Sequence, residues 1–478
     1  MVNRIVSSSL VGAVAAILAG CAVGPNYRAP ELELPQQFVS AETNRYSTAQ
    51  NSTGQNDIAR FWEVFGDAQL SRLIAESQFM NHDLRIALAR LNEARALRGA
   101  ARLDLGPTFN VGGGYVDQRV TRSQAATGPR DTSGYDASFD AFWELDFFGR
   151  NRRALEASNA ELGAAEAGLR DAQVSVAAEL SRSYFELRGN QQRLAVARRN
   201  VENQSETLEL TRVRLEAGTG TELDTSRATA QLAATRASIS PLEAAVARAI
   251  HRISVLTGRD PGALRSELAL PADLPAVPEI TAVADPAQLL RRRPDIRISE
   301  RQLAASTARI GVAVADLFPR VTFTGSVGYA ATSFNGLGDS GSGTHLIAPG
   351  ISWAIFDLGH VKARIDASRA RADGALAFYE QTVLRALEET EDALVTHARS
   401  RDQLAQLALA ADASQTAAQL ARLRYENGAV DFLQVLDAER SLLQAEDSLA
   451  QSRADAATSL VAVYKALGGG WDGPASGG

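Results

Sequence analysis

Apolar residues in this chain recur at helical spacing over unusually long stretches. Leu194, Val201, Leu208 and Leu215 repeat every seven residues. Ile239, Leu242, Val246, Ala249, Ile253 and Leu256 alternate steps of three and four. Both patterns predict helices that pack on other helices through a heptad seam. No proline interrupts residues 150–216 or 360–426. At 1.5 Å per residue each such run would span roughly 100 Å, which suits a coiled coil or a conduit better than a globular core. Moderate helices are predicted over about 68–103 and 292–315. Four segments instead read as strands, at about 108–118, 133–146, 320–331 and 345–357. They carry Gly, Thr, Val, Tyr and Phe with partial alternation, as in Val321-Thr322-Phe323-Thr324. Gly218 and Gly428 break the helical pattern and are followed by new helices, so each marks a turn between an outgoing and a returning helix. Strands and turns are thus expected at opposite ends of an elongated object.

The pattern occurs twice. The segment from Phe142 matches the segment from Ser352 at an offset of 210, aligning Trp143 with Trp353, Gly149 with Gly359 and Ser158 with Ser368. The same offset aligns Gly218 with Gly428 and Leu223 with Leu433. Leu105-Gly106-Pro107 pairs with Leu317-Phe318-Pro319 at nearly the same distance. Matches in one order at one spacing indicate an internal duplication.

Composition adds two constraints. The net charge is -7, and Lys and Arg are interleaved with Asp and Glu, so no basic stripe points to a nucleic-acid partner. A single cysteine excludes an internal disulfide framework. That cysteine follows Arg4 and the apolar run at residues 10–19, which has signal-peptide length and is too short for a permanent span. Leu18-Ala19-Gly20-Cys21 resembles a bacterial lipobox. Processing would remove residues 1–20 and acylate Cys21, and several acyl chains anchor firmly where one is marginal. This covalent lipid is the only prosthetic group expected. Ala22 stands where Asp would signal inner-membrane retention, so outer-membrane sorting is implied. The stretch Gly24 to Pro30 reads as an extended tether.

Four strands cannot close a membrane barrel, because single-chain barrels begin at eight and an open edge in lipid leaves backbone groups unsatisfied. A membrane role therefore requires several chains to pool strands, and three chains would supply twelve. The predicted strands have the length that a tilted span needs. Phe142, Trp143, Phe147, Phe148, Trp353 and Phe356 lie where strand gives way to helix, and are expected to form an interfacial aromatic girdle.

Several segments together resemble an outer-membrane factor of the TolC superfamily, of the OprM-like or NodT-type efflux lipoproteins. They are the lipobox with CAVGPNYRAP, Phe61-Trp62, Leu289 to Ile296, and the stretch from Tyr425 through Leu443. The resemblance implies a mainly α chain with a membrane β-barrel. Three copies would form a homotrimeric channel with a twelve-stranded barrel and a long periplasmic helical barrel, located in a Gram-negative outer membrane. The implied organisation is a signal peptide at 1–20, a lipidated tether and equatorial segment at 21–67, and a first repeat at 68–258. An equatorial linker at 259–291, a second repeat at 292–468 and a Gly-rich tail at 469–478 follow. It further implies docking of a periplasmic adaptor and an inner-membrane pump of the resistance-nodulation-division type. Adaptor contacts would fall at Gly218, Thr219, Gly220, Thr221, Gly428 and Ala429. The family's periplasmic gate maps onto Leu433 as an apolar ring and Asp437 as an acidic ring, with Asp431 or Glu439 as alternative acids. In the first copy Arg227 falls over Asp437, so the two turns are not chemically equivalent.

No catalytic constellation is visible, and the expectation is a protein that is not an enzyme. His82, His251, His345, His360 and His397 lack close metal-ligand spacing. Gly112-Gly113-Gly114 lies in a strand-like segment rather than a phosphate loop. Pro294-Asp295 after Arg291-Arg292-Arg293 reads as a helix entry. The alternatives are the same channel serving type I protein secretion and a non-conducting scaffold lipoprotein.

Overall fold

A computed structural model describes residues 22–40, 47–48, 59–125, 129–278, 282–283 and 286–471. The predicted signal segment, Cys21 and most of the Gly-rich tail lie outside the described residues. Helices α1 (Ala68–Met80) and α2 (His82–Leu103) lead into strands β1 (Thr108–Arg119) and β2 (Asp131–Leu145). The long helix α3 (Arg150–Glu216) turns into α4 (Glu222–Leu256). The second copy repeats the order with α5 (Pro294–Ala315), β3 (Arg320–Ala331), β4 (Gly343–Ser352), α6 (Leu358–Glu426) and α7 (Phe432–Ala466). No described helix is long and apolar enough to cross a membrane.

The described chain gathers into two compact units. One holds residues up to Glu31, Arg90–Glu166 and Ile298–Gln381, and the other holds Leu32–Ala89, Ala167–Arg297 and the chain from Thr382. Both repeats contribute to both units. The duplication is therefore not a division into two domains.

The first unit is organised by one antiparallel sheet in the order β1-β2-β3-β4. Each copy fastens its sheet end in the same way. Trp143 Nε1 donates to Leu105 O at 3.0 Å, and Trp353 Nε1 donates to Leu317 O at 2.9 Å. The near-repeat of Leu105 at Leu317 thus has a physical purpose. Each carbonyl ends a helix-to-strand connection, and the indole closes it.

The second unit holds the main core. Phe61, Phe65, Leu70, Leu73 and Ile74 pack on Leu180, Tyr184 and Phe185 of α3, on Ile253 and Leu256 of α4, and on Leu460 of α7. Phe61 also stacks on Tyr464 at 5.3 Å. Arg188 is buried here, and donates to Gln191 at 2.7 Å, to Leu270 O at 3.1 Å and to Gln69. The run at Arg293-Pro294-Asp295 opens α5, and Arg293 ties this opening to two other helices. Its guanidinium donates to Asp295 Oδ2 at 2.7 Å, Glu389 Oε2 at 2.6 Å and Ala466 O at 2.9 Å. Burial raises the Glu389 carboxyl, but Arg293 and Lys465 outweigh it and hold that group below its usual range.

Two expectations are corrected. The predicted helix over 68–103 is two helices. Asn81 breaks it, because its Oδ1 accepts from Asp83 N at 2.8 Å and Leu84 N at 3.2 Å while its amide donates to Leu256 O at 2.9 Å. The last strand stops at Ser352 rather than continuing to 357. Asp357 N donates to Ala354 O at 2.9 Å, and this turn leads into α6.

His397 on α6 is fully buried, with Nδ1 3.0 Å from Ser459 Oγ on α7. Burial, and then the Arg401 charge, push its pKa from 6.5 down to about 4. The unfolded chain therefore takes up this proton first as pH falls. The His397 contribution alone should lower stability by about 3 kcal/mol per chain between pH 6.5 and 4, and change no further below. Thermal unfolding across that window should show this loss in the wild type. The loss should be smaller in His397→Gln, and equal slopes in the two would contradict it.

Candidate functional site

The sheet has two chemically distinct faces. Cross-strand partners share a face, so the register defines both. One face carries Phe109, Val111 and Tyr115 of β1 beside Ala141, Phe139 and Tyr135 of β2. It continues through Val321, Phe323, Val327 and Tyr329 of β3 to Ile351 and Ile347 of β4. The other face carries Asn110, Asp136, Ser138, Asp140, Glu144, Thr322, Thr324, Ser326 and Thr344. Phe109, Val111, Val327, Ile347 and Ile351 are all exposed in the chain. An exposed, contiguous apolar face of this size marks contact with lipid or protein.

The expected girdle residues divide. Trp143 sits on the apolar face, opposite Phe323. Phe142 pairs with Thr108 and Thr324, so it belongs to the polar face. Adjacent strand residues point to opposite faces, so Phe142 and Trp143 do not act together. Phe147 and Phe148 lie in the connection before α3, where Phe148 stacks on Phe318 at 4.6 Å. Trp353 and Phe356 lie in the connection before α6, and both are exposed.

At the helix turns the two copies share one geometry. Gly218 N donates to Leu215 O at 3.0 Å and Thr219 N to Arg214 O at 2.9 Å. In the second copy Gly428 N donates to Tyr425 O at 2.9 Å and Ala429 N to Arg424 O at 2.8 Å. Both are Schellman ends, and both glycines have φ +72°, a left-handed conformation that suits glycine. The returning helices begin differently. Thr221 and Asp224 form a reciprocal capping box on α4, whereas Asp431 alone caps α7 by accepting from Gln434 N at 3.2 Å. Thr219, Gly220 and Thr221 thus form the first turn with Gly218, and Gly428 and Ala429 open the second.

The first turns of α7 separate the candidate gate residues. Phe432 and Val435 are buried against Leu208, Leu232 and Tyr425. Leu433 is 51% exposed, and the Asp437 side chain is 73% exposed with Arg440 4.0 Å away. Four residues apart, they share one helix face that is left open among the described residues. Asp431 is engaged as a cap. Glu439 is buried and accepts from Thr207 Oγ1 at 2.7 Å, and its carboxyl is raised by that burial. Of the acids considered, Asp437 is the one presented to solvent, beside Arg440. In the first copy Leu223 and Arg227 are likewise exposed.

Residue patterns gave no sign of the bonds between the two hairpins. Arg422 donates to Glu206 at 2.8 Å, and Arg214 donates to Tyr425 O at 2.6 Å with its guanidinium 4.1 Å above the Tyr425 ring. These partners lie more than 200 residues apart.

A four-stranded sheet with one apolar and one polar face, leading into two copies of a long helical hairpin, defines the class of outer-membrane channels. The sequence model for the outer membrane efflux protein family matches residues 73–259 and 286–469, once for each repeat, and the chain belongs to that family. It is 33% identical over 459 residues to the antibiotic efflux pump outer membrane protein ArpC of Pseudomonas putida, covering 95% of this chain and 94% of that one. It is 31% identical to the cation efflux system protein CusC of Escherichia coli O6:H1, covering 96% and 97%. Among solved structures, the outer-membrane channel OprN superposes with a TM-score of 0.88 at 44% identity, over 95% of this chain and all of that one.

Proposed function

We propose that three copies of this chain pool their sheets into a twelve-stranded outer-membrane barrel and serve as the exit duct of a tripartite efflux pump. The observation that carries this reading is the two-faced sheet with both outer edges open. Within the described chain, the free sides of β1 and β4 have no strand partner. Such edges are not viable in lipid, and joining β4 of one copy to β1 of the next removes them. The apolar face then meets lipid, and the polar face lines a water-filled lumen.

Conduction is passive in this reading, with energy supplied by an inner-membrane pump of the resistance-nodulation-division type. A periplasmic adaptor docks at Gly218–Thr221 and at Gly428 and Ala429. Cys21 carries the lipid. Leu433 and Asp437 narrow the periplasmic mouth as stacked apolar and acidic rings. The relatives named for antibiotic and cation efflux support small toxic compounds as cargo rather than secreted proteins.

Neighbouring substitutions on β2 test the barrel. Phe139→Arg places a charge on the apolar face near mid-strand, at a cost of about 2–4 kcal/mol per chain near the bilayer midplane. It should sharply reduce trimer recovered from outer membranes. Ser138→Arg, one residue away on the polar face, should leave trimer intact and lower cation conductance. Equal trimer yields from both variants would rule out this facing.

A further inference from the structure

Residues 22–27 form neither helix nor strand, yet they are held closely. Val23 N donates to Phe148 O at 3.1 Å. Arg153, in the first turns of α3, is only 4% exposed. Its Nε donates to Val23 O at 3.0 Å. Its Nη2 lies within donating distance of Gly24 O at 3.2 Å, Ala22 O at 3.3 Å and Asn26 Oδ1 at 2.7 Å. Only Nη1 turns elsewhere, to Glu156 Oε2 at 2.7 Å. Tyr27 OH donates to Glu300 Oε1 at 2.6 Å, and the tyrosine packs on Ala160, Ala304 and Ala305.

Glycines permit the approach. Gly24 has φ +91°, and a Cβ there would lie 2.5 Å from Gly311 Cα. A Cβ on Gly149 would lie 2.5 Å from Ala22 Cβ. A buried guanidinium must have its donors satisfied, and this one is satisfied mainly by the carbonyls of one short segment. The slot and the segment are complementary in shape and in hydrogen bonding.

We propose that residues 22–27 are a strap seated in a slot formed by Gly149, Arg153, Glu300 and Gly311, and that this seat fixes where the N-terminal lipid leaves the protein. The segment, whose Gly and Pro content predicts an extended tether, is extended and also docked. Seating places Ala22 beside Gly149, at the connection between β2 and α3. The docking stands on these contacts alone. Its consequence for the anchor rests on the lipidation of Cys21.

The test uses the purified full-length protein and trypsin, with mass spectrometry following cleavage after Arg28, which is exposed and adjoins the strap. A protease needs a locally opened chain, so the cleavage rate reports how often the strap leaves its slot. Wild type should be cut slowly. Gly24→Ala and Arg153→Ala should each speed cleavage at least tenfold in intact trimers. Arg153→Lys should not restore protection, because an ammonium lacks the fork that holds several carbonyls. The double variant should be cut no faster than the faster single one, since either change alone empties the slot. Gly24 lies outside every helix and strand, so that variant decides the matter if Arg153→Ala fails to assemble. Rates within twofold of wild type, or effects that multiply in the double variant, would overturn the strap. The mass of the released peptide separates the two readings. An unacylated peptide released slowly from wild type would retain the strap and remove the anchor.

Discussion

Arg293→Ala should destabilise the folded chain by about 3 kcal/mol, the low end of the cost of removing one partner from a buried ion pair. The Arg293 side chain is 9% exposed, while Asp295 and Glu389 are 34% and 40% exposed. Water therefore compensates the carboxylates in part, but it does not replace the bond to Ala466 O. The substitution removes three attachments at once, to the start of α5, to α6 and to the end of α7. Arg293→Lys keeps the charge and loses the fork, so it should recover less than half of the loss. Arg90→Ala, at an exposed position, should change little. Thermal unfolding of the purified trimer measures all three. An Arg293→Ala midpoint equal to that of Arg90→Ala would show that this junction does not support the fold.

Arg293 also shows what a sequence reveals about such a site. Pro294 and Asp295 announce the helix start, because proline fits the first turn and an acid suits its positive end. Nothing local announces Glu389 or Ala466, which lie 96 and 173 residues away. The same holds for Arg153. Within Arg150-Asn151-Arg152-Arg153 it reads as one more exposed helix cation, and its partners are about 130 residues earlier. Long helices are legible because continuity is a local property. A heptad seam marks α3, the lack of proline marks both α3 and α6, and Gly218 and Gly428 mark their ends because the closing turn favours a left-handed residue.

Structure and sequence pattern part where one polar side chain or a one-residue shift decides the outcome. Asn81 looks compatible with a helix, but its amide caps the next helix and bonds Leu256 O. Phe142 and Trp143 are adjacent aromatics in the sequence, and the period of two sends them to opposite faces. For the turn acids, similarity in the sequence could not separate Asp437 from Glu439. Burial separates them, because Glu439 faces Thr207 on α3 while Asp437 faces away.

That separation carries the second large effect. Leu433 and Asp437 form an uncovered face one helical turn long, next to a well-packed one at Phe432 and Val435. In a trimer with this face inward, three Leu433 side chains would expel water from the axis, and three Asp437 carboxylates would attract cations and counter-charges such as Arg440. Truncating both residues removes apolar bulk and charge while leaving the buried side of α7 intact. The hairpin should therefore fold as before, with its mouth wider.

Single-channel conductance of the purified trimer in a planar bilayer, wild type against Leu433→Ala/Asp437→Ala, tests the central claim most directly. Small or rare wild-type openings that become large and sustained in the variant are the predicted result. Folded trimers that insert but conduct in neither form would contradict the channel itself, and a wild type already as open as the variant would contradict the gate.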